Sequence, residues 1–386
     1  MAKFTIDAKE LKKVMEQSLT AIDKKSVFNE LLRLYFQVEE ETLKVLGTDI
    51  EQYAEVKTEN VWDIEPGCFG VDISDIKVLS KMTGFVTLET DLEKKKINVK
   101  CGKKNLTVPG FGNTDHFLPS MDETETTVLK VKENWLLDTL TKLVTFTGDE
   151  TSNKVMGAFN FDLAHERVET LDMYRIGMRT IPEESIVAEK PESVMLHKKC
   201  VPVLKKIMDK KSEEAICISH DKKWVKLEGK SFTYMIRMVD GVYFNVDKML
   251  HSEDKYMFSP DKDNMMEVMK FDADLNTDEK KIPVILHGEN GKLYSYIKTY
   301  KYEALDEIKV CSMEMKDDFF IGVNPQYLID ALNVVDADYP VCRMSESNAP
   351  IYIDGDEYSF LILPINLKGS NNEANMKKKI AGDKVA

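Results

Sequence analysis

The sequence predicts an α+β protein made of three tandem repeats, each with two helices packed on antiparallel sheets. Three observations lead there. A short apolar run passes into an amphipathic helical run six times along the 386 residues. These pairs recur at intervals of roughly 65 residues. Each is followed by alternating strand-like segments broken by Gly, Asn and Asp turns, as hairpins require.

The repeats open with KFTIDAKELKKVMEQSL from Lys3, LKVKENWLLDTLTKLVTF from Leu129 and YMFSPDKDNMMEVMKF from Tyr256. In the first, Leu11, Val14, Met15 and Leu19 share one helical face, while Lys9, Lys12, Lys13 and Glu16 share the other. Asp7 with Glu10 reads as a capping box, and Ser259-Pro260 as an N-cap followed by an N1 proline. The second half of each repeat holds CFGVDISDIKVLSKMTG, ESVMLHKKCVPVLKKIMD and FFIGVNPQYLIDALNVV. Asn324-Pro325 carries the same cap signature, and Pro202 is tolerable only in a first helical turn. The expected boundaries are 1–125, 126–252 and 253–368, with 369–386 a polar, Lys-rich tail expected to be disordered.

Composition narrows the function. The chain is 43% hydrophobic and 31% charged, with a formal net charge of −14. No apolar run of about 18 residues offers a membrane span, and the N-terminus lacks the apolar core of a signal peptide. The six cysteines (Cys68, Cys101, Cys200, Cys217, Cys311, Cys342) have no C-x-x-C spacing and read as reduced thiols of a cytoplasmic protein. There is no Walker-type loop, no H-E-x-x-H and no nucleophile elbow. The six histidines (His116, His165, His197, His220, His251, His287) lie far apart, so no metal or cofactor is expected and no catalytic residue is assigned.

Several stretches carry a family resemblance. They are KFTI, LGTDIEQYAEV, LTVPGFGNTDHFLP, MGAFNFD, LDMYRIGMR, MVDGVYFNVDKML and the closing YSFLILPINL. In their order and spacing the chain resembles the bacterial DNA polymerase III β subunits, the replicative sliding clamps, over essentially residues 1–367. The resemblance implies three copies of the DNA-clamp fold in a crescent subunit, two of which close as a homodimer into a ring around duplex DNA. It also implies a non-enzymatic processivity factor that binds the polymerase III α subunit and the clamp loader through short peptides. The alternatives are a clamp-fold peptide-binding scaffold that forms no ring, or a secondary or mobile-element clamp.

The resemblance implies three groups of residues. A ring must attract phosphate diffusely without reading bases, so lysines should face the hole. The candidates are Lys9, Lys12, Lys13, Lys24, Lys25, Lys77, Lys81, Lys198, Lys199, Lys205, Lys206 and Lys210. As read from the sequence, the six helices carry a small net positive charge, leaving the remainder more acidic than the whole and DNA-repelling. The third repeat's helices, with Asp261, Asp263, Glu267, Asp330 and Asp336, depart from that pattern.

Ring closure implies a basic edge with Lys96, Lys103, Lys104, Leu106 and Val108, facing Leu275, Glu303, Asp306 and Glu307. A partner-peptide pocket is implied at Val155, Leu171, Met173, Tyr174, Arg175, Ile176, Phe244, Lys248, Met249, Leu361, Leu363, Pro364, Ile365 and Leu367. These are mostly apolar, with methionines suited to varied partners. Leu171–Ile176 and Phe244 are bulkier than the family pattern at those positions.

Overall fold

The computed structural model describes residues 1–91, 93–112, 119–122, 124–151, 153–188, 193–250, 253–276, 282–367 and 372–383. His116 and His251 lie outside the described residues, as do 368–371 and 384–386 of the tail. Six strand–helix pairs are present. Strand Lys3–Asp7 leads into α1 (Ala8–Ser18), Gly67–Asp72 into α2 (Ile73–Leu79), and Thr126–Lys132 into α3 (Glu133–Leu143). Val194–His197 leads to α4 (Cys200–Ile207), Tyr256–Pro260 into α5 (Lys262–Leu275), and Phe319–Val323 to α6 (Pro325–Val334). A further helix, α7, spans Asn372–Asp383.

The caps explain most of these starts. Asp7 accepts from the Lys9 amide at 2.8 Å. Glu10 does not complete the expected capping box; its carboxylate instead accepts from the Thr58 hydroxyl at 2.9 Å. Asn324 caps α6 through the Gln326 amide at 3.0 Å, with Pro325 at the first helical position. The Ser259-Pro260 reading is corrected. Both residues end the preceding strand, and Asp261 is the cap, accepting from Asn264 at 2.9 Å. A carboxylate one residue further on serves the same free amides.

The chain divides into two compact units. Unit 1 comprises Met1–Thr141, Phe161–His165 and Pro182–Asp240; unit 2 comprises Lys142–Asn160, Glu166–Ile181 and Gly241–Ala386. In unit 1 one sheet runs in the order Val61–Glu65, Lys3–Asp7, Phe85–Asp91, Lys96–Cys101, Lys104–Pro109. A second runs Thr126–Lys132, Ala215–His220, Trp224–Glu228, Phe232–Arg237, Gln52–Thr58, Leu43–Thr48, Arg33–Val38, Gly67–Asp72. In unit 2 a long sheet contains Arg167–Leu171, Arg175–Thr180, Tyr358–Ile362, Ile351–Asp354, Val341–Met344, Tyr256–Pro260 and Val310–Met315. A shorter one runs Glu303–Ile308, Lys292–Lys298, Val284–Glu289, Phe319–Val323.

The division passes through the middle of segment 126–252 for a reason visible in the strands. Each strand–helix pair is followed by a run of three consecutive paired strands, with one further strand in another sheet after the first (Val61–Glu65) and the fifth (Val310–Met315). In four of the six runs the last strand joins another run. Phe232–Arg237, the last of the fourth group, pairs antiparallel with Gln52–Thr58, the last of the first (Phe232 opposite Val56). Tyr358–Ile362, the last of the sixth, pairs antiparallel with Arg175–Thr180, the last of the third (Arg175 opposite Ile362). The remaining two last strands, Lys104–Pro109 and Glu303–Ile308, each end their sheet among the described residues.

The tail corrects the expectation of disorder. Met376 and Ile380, one helical turn apart in α7, are buried against Ile285 and Tyr296, with Tyr294, Leu305, Phe320 and Leu367 packed around them. Two apolar side chains four residues apart give a polar segment one apolar stripe, and the sheet supplies the matching surface.

Candidate nucleic-acid surface, peptide pocket and joining edges

The predicted DNA-facing lysines all fall in unit 1. Leu11, Val14 and Met15 anchor α1 in the core, which turns Lys9, Lys12 and Lys13 to solvent. Helix α4 buries Val201, Val203, Leu204 and Ile207, so Lys205 and Lys206 are exposed. Lys198, Lys199 and Lys210 flank α4 rather than lie in it, so the basic charge here sits largely at the helix ends. The Gln17 side-chain amide donates to the Lys206 carbonyl at 2.9 Å, tying α1 to α4.

Lys12, Lys24, Lys77, Lys81 and Lys206 converge on one hollow of about 1180 Å³, floored by Leu19, Ile22, Ile73, Ile76 and Pro202. Of these lysines only Lys12 has an ion pair among the described residues, a loose 3.8 Å contact to Glu16. A second hollow of about 660 Å³ gathers Lys13, Lys205 and Lys210 with Lys57, Lys211 and Lys230, alongside Glu10, Glu133 and Glu214. Lys57 and Lys230 escape a helix-based reading of the sequence, since each sits on a strand or turn. Lys25 is exposed in the loop after α1, its amide donating to Asp23 at 2.9 Å.

The fourteen predicted pocket residues all fall in unit 2. Leu171, Ile176 and Leu361 are buried in one cluster with Met156, Met178, Val246 and Tyr352, on which Tyr243, Phe244 and Leu250 pack. Val155 is buried as well. Above this floor stands an exposed apolar rim: Met173 (62%), Tyr174 (56%), Met249 (40%), Leu363 (40%) and Ile365 (37%). Such exposure in neighbouring large apolar side chains marks a surface awaiting a partner rather than a finished core.

Backbone bonds hold the rim. Leu363 donates its amide to the Tyr174 carbonyl at 2.8 Å, and Ile365 donates to Gly322 at 2.7 Å. A Cβ on Gly322 would sit 2.7 Å from the Ile365 carbonyl oxygen, so glycine is what lets the terminal segment cross there. The Tyr352 hydroxyl donates to the Met249 carbonyl at 2.5 Å. Pro364 and Leu367 are half-buried along the same segment, and Lys248 is exposed, its amide capped by Asn245 at 3.1 Å.

Arg175 lies beneath the rim. Its guanidinium holds Asp172 at 2.9 Å, Asp330 at 2.5 Å and the Thr145 carbonyl at 2.9 Å, and lies over the rings of Phe146 and Tyr327. Burial opposes its charge, but the Asp330 and Asp172 hydrogen bonds outweigh it and raise its pKa above the usual value. Arg175 therefore braces the Asp172–Arg175 turn, with Tyr174 stacked on Tyr327 at 6.1 Å. Phe146, Tyr327 and Asp330 complete this brace, which sequence reading missed because they stand in two distant helical segments.

The candidate joining residues lie on the two sheet ends. In Lys104–Pro109, Val108 is buried and Leu106 half-buried on the face shared with Ile97 and Val99, while Lys96, Lys103 and Lys104 are exposed. In Glu303–Ile308, Glu303 pairs with Lys298 at 3.1 Å and Glu307 with Lys292 at 2.8 Å. Asp306 is half-buried on the opposite face, and Leu275 is half-buried at the end of α5. Hydrogen bonds from Tyr296 and Lys298 hold the Glu303 carboxyl below its usual pKa.

Comparison with known proteins places this architecture. The sequence model of the DNA polymerase III beta subunit N-terminal domain matches residues 2–130. The beta sliding clamp of Lactococcus lactis is 22% identical over 95% of this chain and 99% of its own length, and that of Pseudomonas aeruginosa 20% over 94% and 100%. Among solved structures, the Bacillus subtilis DNA polymerase sliding clamp superposes with a TM-score of 0.85 at 17% identity, covering 95% of this chain and 99% of that one. The Streptococcus pyogenes β subunit gives 0.86 at 15%, covering 94% and 100%. The fold is that of the polymerase sliding clamps. Within it, residues 2–130 carry the sequence pattern of the DNA polymerase III beta subunit N-terminal domain.

Proposed function

We propose that this chain is a DNA sliding clamp. Two copies join through their free edge strands into a ring around duplex DNA and tether the replicative polymerase and the clamp loader through the unit 2 rim. It is a processivity factor and not an enzyme, and its place of work is the bacterial cytoplasm, where the DNA is. No helix among the described residues is long and apolar enough to cross a membrane.

One observation carries the reading. Last strands of the half-repeats pair antiparallel across the first and fourth and across the third and sixth groups. The same rule applied to the remaining two joins Glu303–Ile308 to Lys104–Pro109 of another copy. A heterologous joint of that kind closes when the rotation divides a full turn. Backbone pairing and the apolar Leu106 and Val108 hold the joint, since exposed ion pairs add about 0–1 kcal/mol each.

Lys24, Lys77, Lys81, Lys205 and Lys206, with no ion pair among the described residues, suit the hole, because phosphate charge is met without groove-specific contacts and the grip stays weak enough to slide. The exposed rim suits a short peptide that lays apolar side chains onto the Leu171–Leu361 floor. Trapping on DNA tests the function. Loaded onto nicked circular duplex by its host's loader, the protein should stay on the circle and be lost once the circle is cut. Retention on the linear form would contradict a topological grip. Lys205→Glu with Lys206→Glu should lower DNA association at least about tenfold and flatten its salt dependence, leaving the thermal melt unchanged.

A further inference from the structure

The outward face of the short unit 2 sheet is unusual for a strand layer that ends a fold. Ser295 bonds to Asp272 on α5, so Leu293, Ser295 and Ile297 point to the helices. Tyr294 and Tyr296 therefore point outward, with Ile285, His287, Phe320 and Leu305 beside them in register. Helix α7 covers this face. Its chain direction runs toward the free edge: Lys377 lies over Phe320 on the strand at the sheet's other end, whereas Ile380 lines one hollow with Leu305 of the edge strand. Lys379 contributes to lowering the Glu303 pKa, behind the hydrogen bonds from Tyr296 and Lys298. Beside Ile380 is a hollow of about 590 Å³, bounded by Glu289, Lys292, Tyr294, Leu305 and Glu307.

We propose that α7 is a clasp across the joint between two copies. The Lys96–Pro109 hairpin of a second copy, added at Glu303–Ile308, lies under the last turn of α7 with its Asn105 and Thr107 entering the hollow beside Ile380. This rests on the ring reading and adds to it an element lying beyond the repeats.

Register supports the placement. Pairing the first residue of one strand with the last of the other, as Arg175 pairs with Ile362, sets Glu303 opposite Pro109, Leu305 opposite Thr107 and Glu307 opposite Asn105. That register keeps Leu106 and Val108 on the helix-facing side and turns Asn105 and Thr107 outward, as they already stand opposite Lys100 and Asn98. An added strand lies about 4.8 Å beyond the edge. A helix about 10 Å across whose Ile380 shares a hollow with Leu305 therefore overhangs it. Lys96 and Lys100, outward on the same hairpin, come to the side that carries Glu303 and Glu307, so the charges are complementary. Within one copy α7 buries only Met376 and Ile380 among its described side chains, so the joint supplies the contact that completes its cover.

Dilution of the protein, followed by sedimentation, tests the clasp. The intact chain should run at twice 44.2 kDa and dissociate at a concentration at least about tenfold below that for a chain ending at Leu367. Thr107→Trp should weaken the intact dimer about tenfold or more and the shortened one less than about threefold, a coupling that only contact produces. Gly382→Trp, at an exposed position with open space around its Cβ, should weaken the intact dimer without disturbing α7 packing, and it carries the test if the shortened chain does not fold. Equal dissociation with and without α7, equal losses from Thr107→Trp, or no effect of Gly382→Trp would overturn the clasp and leave the ring standing. An intact chain that stays at 44.2 kDa would overturn both.

Discussion

A set of exposed lysines in unit 1 and the arginines of unit 2 are used in opposite ways. In unit 1, Lys24, Lys77, Lys81, Lys205 and Lys206 stand exposed with no ion pair among the described residues. In unit 2, Arg167, Arg175, Arg179 and Arg343 are each locked to carboxylates: Glu169 and Asp247, Asp172 and Asp330, Glu357, and Asp254 and Asp354. The two end sheets differ in the same sense. Strands Phe85–Asp91 and Lys96–Cys101 of unit 1 alternate strictly between buried and open positions. Strand Val284–Glu289 of unit 2 is buried at five consecutive positions because α7 lies over it. Unit 1 thus leaves these positive charges unpaired among the described residues, whereas unit 2 holds its arginines in ion pairs and exposes apolar side chains. That is the division of labour the proposed tether between DNA and its enzymes would require.

The largest effect that would sharpen this contrast is at Arg175. Arg175→Ala leaves Asp172 and Asp330 uncompensated under the rim and should cost about 3–5 kcal/mol in denaturant unfolding. The matched change in unit 1, Lys206→Ala, should stay within about 0.5 kcal/mol; comparable losses at both sites would break the comparison. Next is Met376→Ala, expected to cost about 2–4 kcal/mol by opening a cavity over Tyr296. Asn98→Ala, on the corresponding outward face in unit 1, should cost no more than about 0.5 kcal/mol.

A smaller effect concerns pH. Burial raises the Asp272 carboxyl from its ordinary 3.8 to about 6, opposed by the Ser295 hydrogen bond and reinforced by Asp306. The folded chain then holds this proton more tightly than the unfolded one, so stability from this group is fullest below about pH 4 and falls as pH rises through about 6. Asp272→Asn should therefore gain about 1–3 kcal/mol at pH 8 and nearly nothing at pH 4. A gain that grows toward acid would contradict the assignment.

Much of this was legible in the residues. The six strand–helix pairs follow from apolar periodicity and from side chains such as Asp7 and Asn324 that cap whatever helix follows them. The fourteen residues of the family pattern all fall in unit 2, some buried in its floor and others exposed on its rim, but the pattern does not convey what each one does there. Arg175 is a buried brace because Asp330 and Tyr327 come from a helix some 150 positions further on, a pairing that no local pattern encodes. The tail was misread because its apolar content, Met376 and Ile380, is too slight to fold alone. The clue lay instead in its receptor: a strand pair with apolar side chains on both faces, Leu293 and Ile297 on one and Tyr294 and Tyr296 on the other, requires a second cover.

Cross-linking tests the central claim most directly. A chain carrying Asn105→Cys and Glu307→Cys, mildly oxidised beside the parent chain with its six free thiols, reports whether the two edges meet in the register of the Arg175–Ile362 joint. The account predicts a covalent species of twice the subunit mass, formed only when both cysteines are present and retained on circular DNA through denaturant. Monomers throughout, with both new thiols still free, would contradict it.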